Sequence, residues 1–449
     1  MSHSIRGAWT AWTANTRSRC ATVAILLTFA GPSAYVGSIE AAQVTASGFM
    51  LKVDGNPFVI KGMNYSPVPI NTKPEFAPFG DYFVPNYANV WKPDIDKIRE
   101  AGVNVIRLYA GDPAANAGGE GTAGKWKNFL DYCWNGGNRP VYVIMTSFVV
   151  GGQIANGGEN FERYLSDYEK LVKSTINHPA VFGYMVGNEI FGGGVIFNPN
   201  FWINYGKLVD TANAAGLLVG KKKPFLTTAT DDKVGFPPIE RGEKSGHLKN
   251  LDAWSINIYR GPTMGVPGNS PFEQYAKLIA GLGVTKPLII GEWGTPHTTR
   301  QIGAYGKSPA PKLPLVNLDD VPNGDMGSGQ PYFDARPVAT FLTDEWDTIR
   351  ANLGAKAGQV CVGGLIFDWS DEYWKGNNIA TQVGGPNDGF QGGAFAGGYW
   401  DEAGFGVTSA VPNAAYGQGK PNIKRILFKG YDAVKKFYNA TSHSGGELY

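Results

Sequence analysis

The strongest constraint on this chain is an alternation that runs from Phe49 to Tyr438. Short apolar runs rich in Val and Ile recur, and longer stretches with apolar residues at helical spacing lie between them. Eight such runs can be read, at residues 59–65, 103–109, 140–146, 181–189, 224–229, 253–259, 287–292 and 362–369. No linker or low-complexity segment breaks the series, so the pattern predicts one (β/α)8 barrel rather than two domains. Residues 49–60, interrupted by Asp54-Gly55-Asn56, read as a short N-terminal hairpin leading into the first barrel strand.

Helix signals fill the gaps. Trp91-Lys92-Pro93 opens the first helix with Pro in its first turn, and Gly102 ends it. Tyr164, Leu165, Tyr168, Leu171 and Val172 form one stripe, Trp202, Tyr205, Leu208 and Val209 another. Further helices are expected at 272–282, across Val338, Phe341, Leu342 and Ile349, and at 423–438. The segments after the second (111–124), third (148–160), seventh (295–334) and eighth (370–421) runs are long and rich in Gly, Pro, Asn and aromatics. In a barrel all of them lie on the C-terminal face, where long loops are usually functional.

Residues 1–42 read as an export signal, with basic Arg6, Arg17 and Arg19, an apolar stretch over 21–30 and small residues through Ala41-Ala42. The apolar stretch is too short to span a bilayer. The expected organisation is therefore a signal at 1–42, a catalytic barrel at 43–441 and a flexible tail at 442–449, in a secreted or periplasmic protein. Loss of the signal removes three Arg and one Glu, which takes the formal charge from +2 to zero. That balance favours neither nucleic acid nor an anionic membrane as a partner. Of the three Cys, Cys133 and Cys361 then remain and are read as buried thiols.

Two of the apolar runs end in an acid. Val181-Phe-Gly-Tyr-Met-Val-Gly-Asn188-Glu189 closes the fourth, and Pro287-Leu-Ile-Ile-Gly-Glu292 closes the seventh, 103 positions later. Strand ends at the C-terminal face are where a barrel carries catalytic groups, so both carboxylates can meet across one pocket. A protonated carboxyl and an ionised one on opposite sides of a glycosidic bond form the apparatus that cuts it. Alternation supports an inward direction for each, Glu189 sharing a face with Gly183, Met185 and Gly187, and Glu292 with Leu288 and Ile290.

With Asn-Glu after the fourth strand and Glu after the seventh, the chain resembles glycoside hydrolase clan A, whose families 2, 5 and 72 are retaining β-glycosidases or transglycosylases on this barrel. The resemblance implies Glu189 as acid/base, Asn188 as a ligand of the sugar 2-hydroxyl and Glu292 as nucleophile. It also implies that Arg107, in Ile106-Arg-Leu-Tyr109, pairs with the nucleophile, and that Tyr259, in Asn257-Ile-Tyr259, hydrogen-bonds it. Trp369 would be an aromatic sugar platform, and Asn64 and His297 would line the pocket. Ile60-Lys-Gly-Met-Asn-Tyr and Gly102-Val-Asn-Val-Ile-Arg are similar to the barrels of families 2 and 72. No sugar-binding sandwich ahead of the barrel, as in family 2, is read here, and the Cys pattern of family 72 is missing. The resemblance is to the clan, not to one family.

Asp371, Glu372, Tyr373 and Trp374 are further candidates for sugar recognition. The five His, at 3, 178, 247, 297 and 443, show no metal-ligand spacing, and the Gly-rich segments lack the setting of a phosphate loop, so neither metal nor cofactor is expected. The expected partner is a β-linked oligosaccharide or polysaccharide, and the oligomeric state stays open. A β-glucan transglycosylase and a non-catalytic carbohydrate-binding barrel are the alternatives.

Overall fold

The computed structural model describes residues 41–74, 82–109, 111, 121–266, 268–300, 315–317, 338–354, 358–376, 378–380, 388–410 and 425–441. The segments expected to be an export signal and a C-terminal tail lie outside them, apart from Ala41 and Ala42. The described chain opens with a three-stranded antiparallel meander, β1 (Val44–Ser47), β2 (Met50–Val53) and β3 (Asn56–Phe58). Asp54 and Gly55 make its second turn with φ of 51° and 81°, a region that Asp and Gly enter more readily than most residues. The expected hairpin is β2–β3, and β1 extends it.

Seven barrel strands follow in chain order: β4 (Ile60–Tyr65), β5 (Val105–Leu108), β6 (Tyr142–Thr146), β7 (Val181–Asn188), β8 (Leu226–Asp231), β9 (Ala253–Asn257) and β10 (Leu288–Trp293). A small antiparallel pair, β11 (Thr298–Arg300) and β12 (Leu315–Asn317), stands outside the barrel, and β13 (Cys361–Ile366) closes it between β10 and β4. All eight apolar runs thus become parallel strands of one closed barrel.

Between the strands lie α1 (Ala88–Glu100), α2 (Lys127–Trp134), α3 (Gly151–Asn156), α4 (Glu159–Thr175), α5 (Pro199–Gly220), α6 (Pro237–Ser245), α7 (Pro271–Leu282) and α8 (Val338–Ala351), and α9 (Lys429–Ala440) ends the series. Several boundaries differ from expectation. A 3-10 turn at Pro85–Tyr87 starts α1 early, so Pro93 lies inside the helix instead of opening it. The segment after β6 holds α3. The last helix starts at Lys429, because Arg425–Leu427 pairs as a strand with Thr408–Ala410. Helix α6 carries no apolar stripe long enough to have announced it.

The core has two layers. Outward-facing strand residues such as Met63, Ile106, Val143, Tyr184 and Ile256 pack against the helices, while Ile60, Val105, Ile144, Met185, Ala229 and Ile289 fill the barrel. Val44, Leu51 and Val53 belong to the interior cluster, so the meander plugs the N-terminal mouth. The opposite mouth is left for chemistry.

Candidate active site

On β10, Leu288 and Ile290 pack with the helices, whereas Ile289 points inward. Strict alternation would then send Glu292 outward with Leu288 and Ile290. A register irregularity between Ile290 and Glu292 against β9 breaks the alternation, so Gly291 and Glu292 both turn inward. Gly291 is needed there, because a Cβ would stand 2.6 Å from the Asn257 side-chain oxygen.

Glu292 is 6 % exposed and accepts three hydrogen bonds. Its Oε1 takes Arg107 Nη2 at 2.6 Å and the Tyr109 hydroxyl at 2.7 Å, and its Oε2 takes the Tyr259 hydroxyl at 2.9 Å. Arg107 and Tyr109 lie two positions apart and so share a face of the strand, as do Asn257 and Tyr259. Burial chiefly, with the Glu292 charge adding to it, holds both tyrosines well above the usual phenol range, so both donate. Burial opposes the charge of Arg107, but Tyr109 and Glu292 hold its pKa above the usual arginine value.

Glu189 follows the last residue of β7. Gly187 has φ of 90°, and Glu189 itself has φ of 53°, unusual for a residue with a side chain. A Cβ on Gly187 would stand 2.7 Å from Ile190 Cδ1, so only glycine fits the turn. The result is that Asn188 and Glu189 both face the cleft. Asn188 Oδ1 accepts from Arg107 Nη1 at 3.2 Å and from Asn257 Nδ2 at 3.2 Å, and Asn257 Nδ2 also donates to Glu189 Oε1 at 2.8 Å. Glu189 is exposed to solvent. Desolvation by the protein around it, then the negative charge of Glu292, pushes it up to about 7.

The two carboxyl groups thus sit in opposite environments, one held by a cation and two phenols, the other by a single amide. Such a pair can divide the roles of nucleophile and acid. The residues expected around them are placed unevenly. Asn188, Glu189, Arg107, Tyr259 and Glu292 form one hydrogen-bonded group. Asn64 is fully buried and its amide donates to the carbonyls of Gly291, Leu365 and Ile366, so it ties β4 to β10 and β13 instead of reaching a ligand. Trp369 is also fully buried, edge-on to Tyr431 of α9 at 6.2 Å, and offers no open face for a sugar. His297 is buried beside Asp371, with Nε2 3.0 Å from its carboxylate, under the Phe428 ring. Glu372 pairs with Lys375 at 2.7 Å, and Trp374 packs on the small cluster of Val68 and Tyr82.

Sequence reasoning passed over Tyr109 and Asn257, although both stand in the quoted motifs two residues from an assigned neighbour. It also passed over Trp400, which is partly open, 5.7 Å from the Tyr259 ring, and backed by Phe395 and Phe405. Cys133 and Cys361 are buried free thiols, and burial pushes Cys361 up to about 12. Among the described residues, no group of three His, Cys, Asp or Glu could hold a metal ion.

The fold is similar to that of a family 2 β-galacturonidase from Eisenbergiella tayi bound to galacturonate, with a TM-score of 0.53 and 14 % identity over 90 % of this chain and 55 % of that one. It is also similar to a β-glucuronidase from Ruminococcus gnavus in complex with D-glucuronic acid, with a TM-score of 0.52 and 13 % identity over 88 % of this chain and 52 % of that one. ScGas2 in complex with compound 8 gives a TM-score of 0.54 and 16 % identity over 90 % of this chain and 70 % of its own. The chain spans about half the length of the first two. The likeness is one of fold. No protein-family profile matches the chain, and no curated protein matches it in sequence.

Proposed function

We propose that the chain is a retaining β-glycoside hydrolase of glycoside hydrolase clan A, acting on a β-linked oligosaccharide or polysaccharide. The observation that carries the reading is the unequal treatment of two carboxyl groups in one cleft: three donors converge on Glu292, while Glu189 stands near 7 with one amide donor.

Oε1 of Glu292 already accepts from Arg107 and Tyr109, and Oε2 only from Tyr259. A carboxylate oxygen has two lone pairs, so Oε2 keeps one for attack. Oε2 bonds to the anomeric carbon as the glycosidic C–O bond breaks, and Glu189 gives its proton to the leaving oxygen. Glu189, now ionised, takes a proton from water, the water oxygen bonds to the anomeric carbon, and the ester C–O bond breaks to restore Glu292. Asn188, its Oδ1 taken by two donors, turns its NH₂ toward the sugar. Tyr259 and Trp400 supply ring faces for apolar contact with it.

A second reading, transfer to an acceptor sugar, draws on an exposed ring that follows a barrel strand. Phe148, just past β6, is 58 % exposed, and such a ring would hold an acceptor against competition from water. Residues 1–42 would direct the protein out of the cytoplasm.

Proton NMR of a β-glycoside during turnover tests the reading. The first-formed sugar should be the β-anomer. First formation of the α-anomer would mean single displacement and would refute it.

A further inference from the structure

We infer that Asn257 is a positioning residue that fixes the protonation of Glu189 by donating to it from a fixed amide. The inference rests on the proposed glycosidase reading for its meaning, but not for its test.

The polarity of the bridge is fixed by chemistry. A guanidinium has only donors, so the Asn188 atom that Arg107 Nη1 meets at 3.2 Å must be its oxygen. The atom of Asn257 that meets this oxygen at 3.2 Å must then be the NH₂ group. The same NH₂ lies 2.8 Å from Glu189 Oε1, so Glu189 accepts. Turning the Asn257 amide over would set its oxygen against the Asn188 oxygen, and against the Glu189 carboxylate whenever that is ionised. Its own oxygen is buried without a partner, in the space that Gly291 leaves by having no Cβ. Asn257 therefore has one orientation available.

That donor opposes everything else that raises Glu189. The other groups facing Glu189 are Glu292 of β10 and Asp231 of β8, which disfavour its ionised form, and Arg107 of β5, which favours it. A donor to a carboxylate stabilises the ionised form. In double displacement Glu189 has to be an acid in one step and a base in the next. Without the Asn257 donor it would remain protonated further up the pH scale and be a poorer base against water or an acceptor.

The test reads Glu189 directly in the whole protein. With glutamate labelled at the side-chain carboxyl with carbon-13, the Glu189 resonance is identified by its loss in Glu189→Gln and followed against pH. Asn257→Ala should move its midpoint upward by about one pH unit. Asn257→Asp keeps the shape of the side chain, cannot donate when ionised and adds a like charge, so its midpoint should lie higher still. An unchanged midpoint in either folded variant would overturn the inference. If the midpoint moves but the parent protein turns over no β-glycoside, the bridge stands and the glycosidase reading falls; if the parent does and Glu189→Gln is as fast, only the acid/base role of Glu189 falls.

Discussion

Asn188 and Glu189 are consecutive in the chain, yet both side chains enter the same cleft. A regular strand would send them to opposite faces, and the left-handed backbone at Glu189 prevents that. The same outcome is reached at Gly291 and Glu292 by a different route, a register irregularity against β9. Each of these two strands thus gives up its regular geometry at its C-terminal end, and the two departures bring Glu189 and Glu292 onto one hydrogen-bonded bridge through Arg107, Asn188 and Asn257.

The pH dependence of turnover follows from Glu189. As the proposed acid it must be protonated before substrate binds, and its pKa is raised to about 7. Activity on unactivated substrates should be present below that value and fall as pH rises through it. A kcat/KM profile measures this, and a flat profile from pH 6 to 9 would rule Glu189 out as the acid.

Glu189→Ala should separate substrates by leaving group. Hydrolysis of alkyl or sugar aglycones should fall by about 10²- to 10⁴-fold. The first step with β-glycosyl fluorides, which need little proton assistance, should be nearly spared. Equal losses on both, measured by single-turnover kinetics, would contradict the assignment.

Tyr109→Phe removes one of the two donors to Glu292 Oε1 and leaves the ring in place against Phe367, 6.1 Å away. A hydrogen bond to a charged group contributes about 1.5–3 kcal/mol, so kcat/KM should drop roughly tenfold or more. Unchanged kinetics would show that Arg107 and Tyr259 suffice.

Stability should depend on a buried ion pair outside the cleft. Arg425 reaches Asp94 of α1 through Nε at 2.8 Å and Nη2 at 2.5 Å, and Asp94 is fully buried. Asp94→Ala removes a buried carboxylate from this pair, which costs about 3–5 kcal/mol. The urea midpoint should fall sharply, and an unchanged midpoint would contradict a stabilising role for the pair.

The barrel was legible because its strands are buried on both faces, which makes them continuous apolar runs, and because those runs end at polar residues. Glu189, Glu292, Arg107 and Tyr259 were legible as strand ends. The inward direction of Glu292 was expected on the wrong ground, since Leu288 and Ile290, which alternation pairs with it, face the helices, and only the irregular register against β9 turns Glu292 inward. Tyr109 and Asn257 carried a usable signal, their two-residue spacing from Arg107 and Tyr259. Trp369 and Trp400 carried none: whether an indole at the barrel mouth is covered depends on where Tyr431 of the last helix comes to rest, far away in sequence. Asn64 is similar, since its three carbonyl partners come from β10 and β13.

The central claim is that Glu292 forms a covalent ester with the sugar. Incubation with a panel of 2-fluoro β-glycosyl fluorides, which slow the second step, followed by intact mass and peptide mapping, tests it most directly. The expected result is one added 2-fluoroglycosyl group on the peptide that contains Glu292, absent in Glu292→Gln. A label on another carboxylate, or an unlabelled protein that still hydrolyses the matching β-glycoside with inversion, would contradict the account.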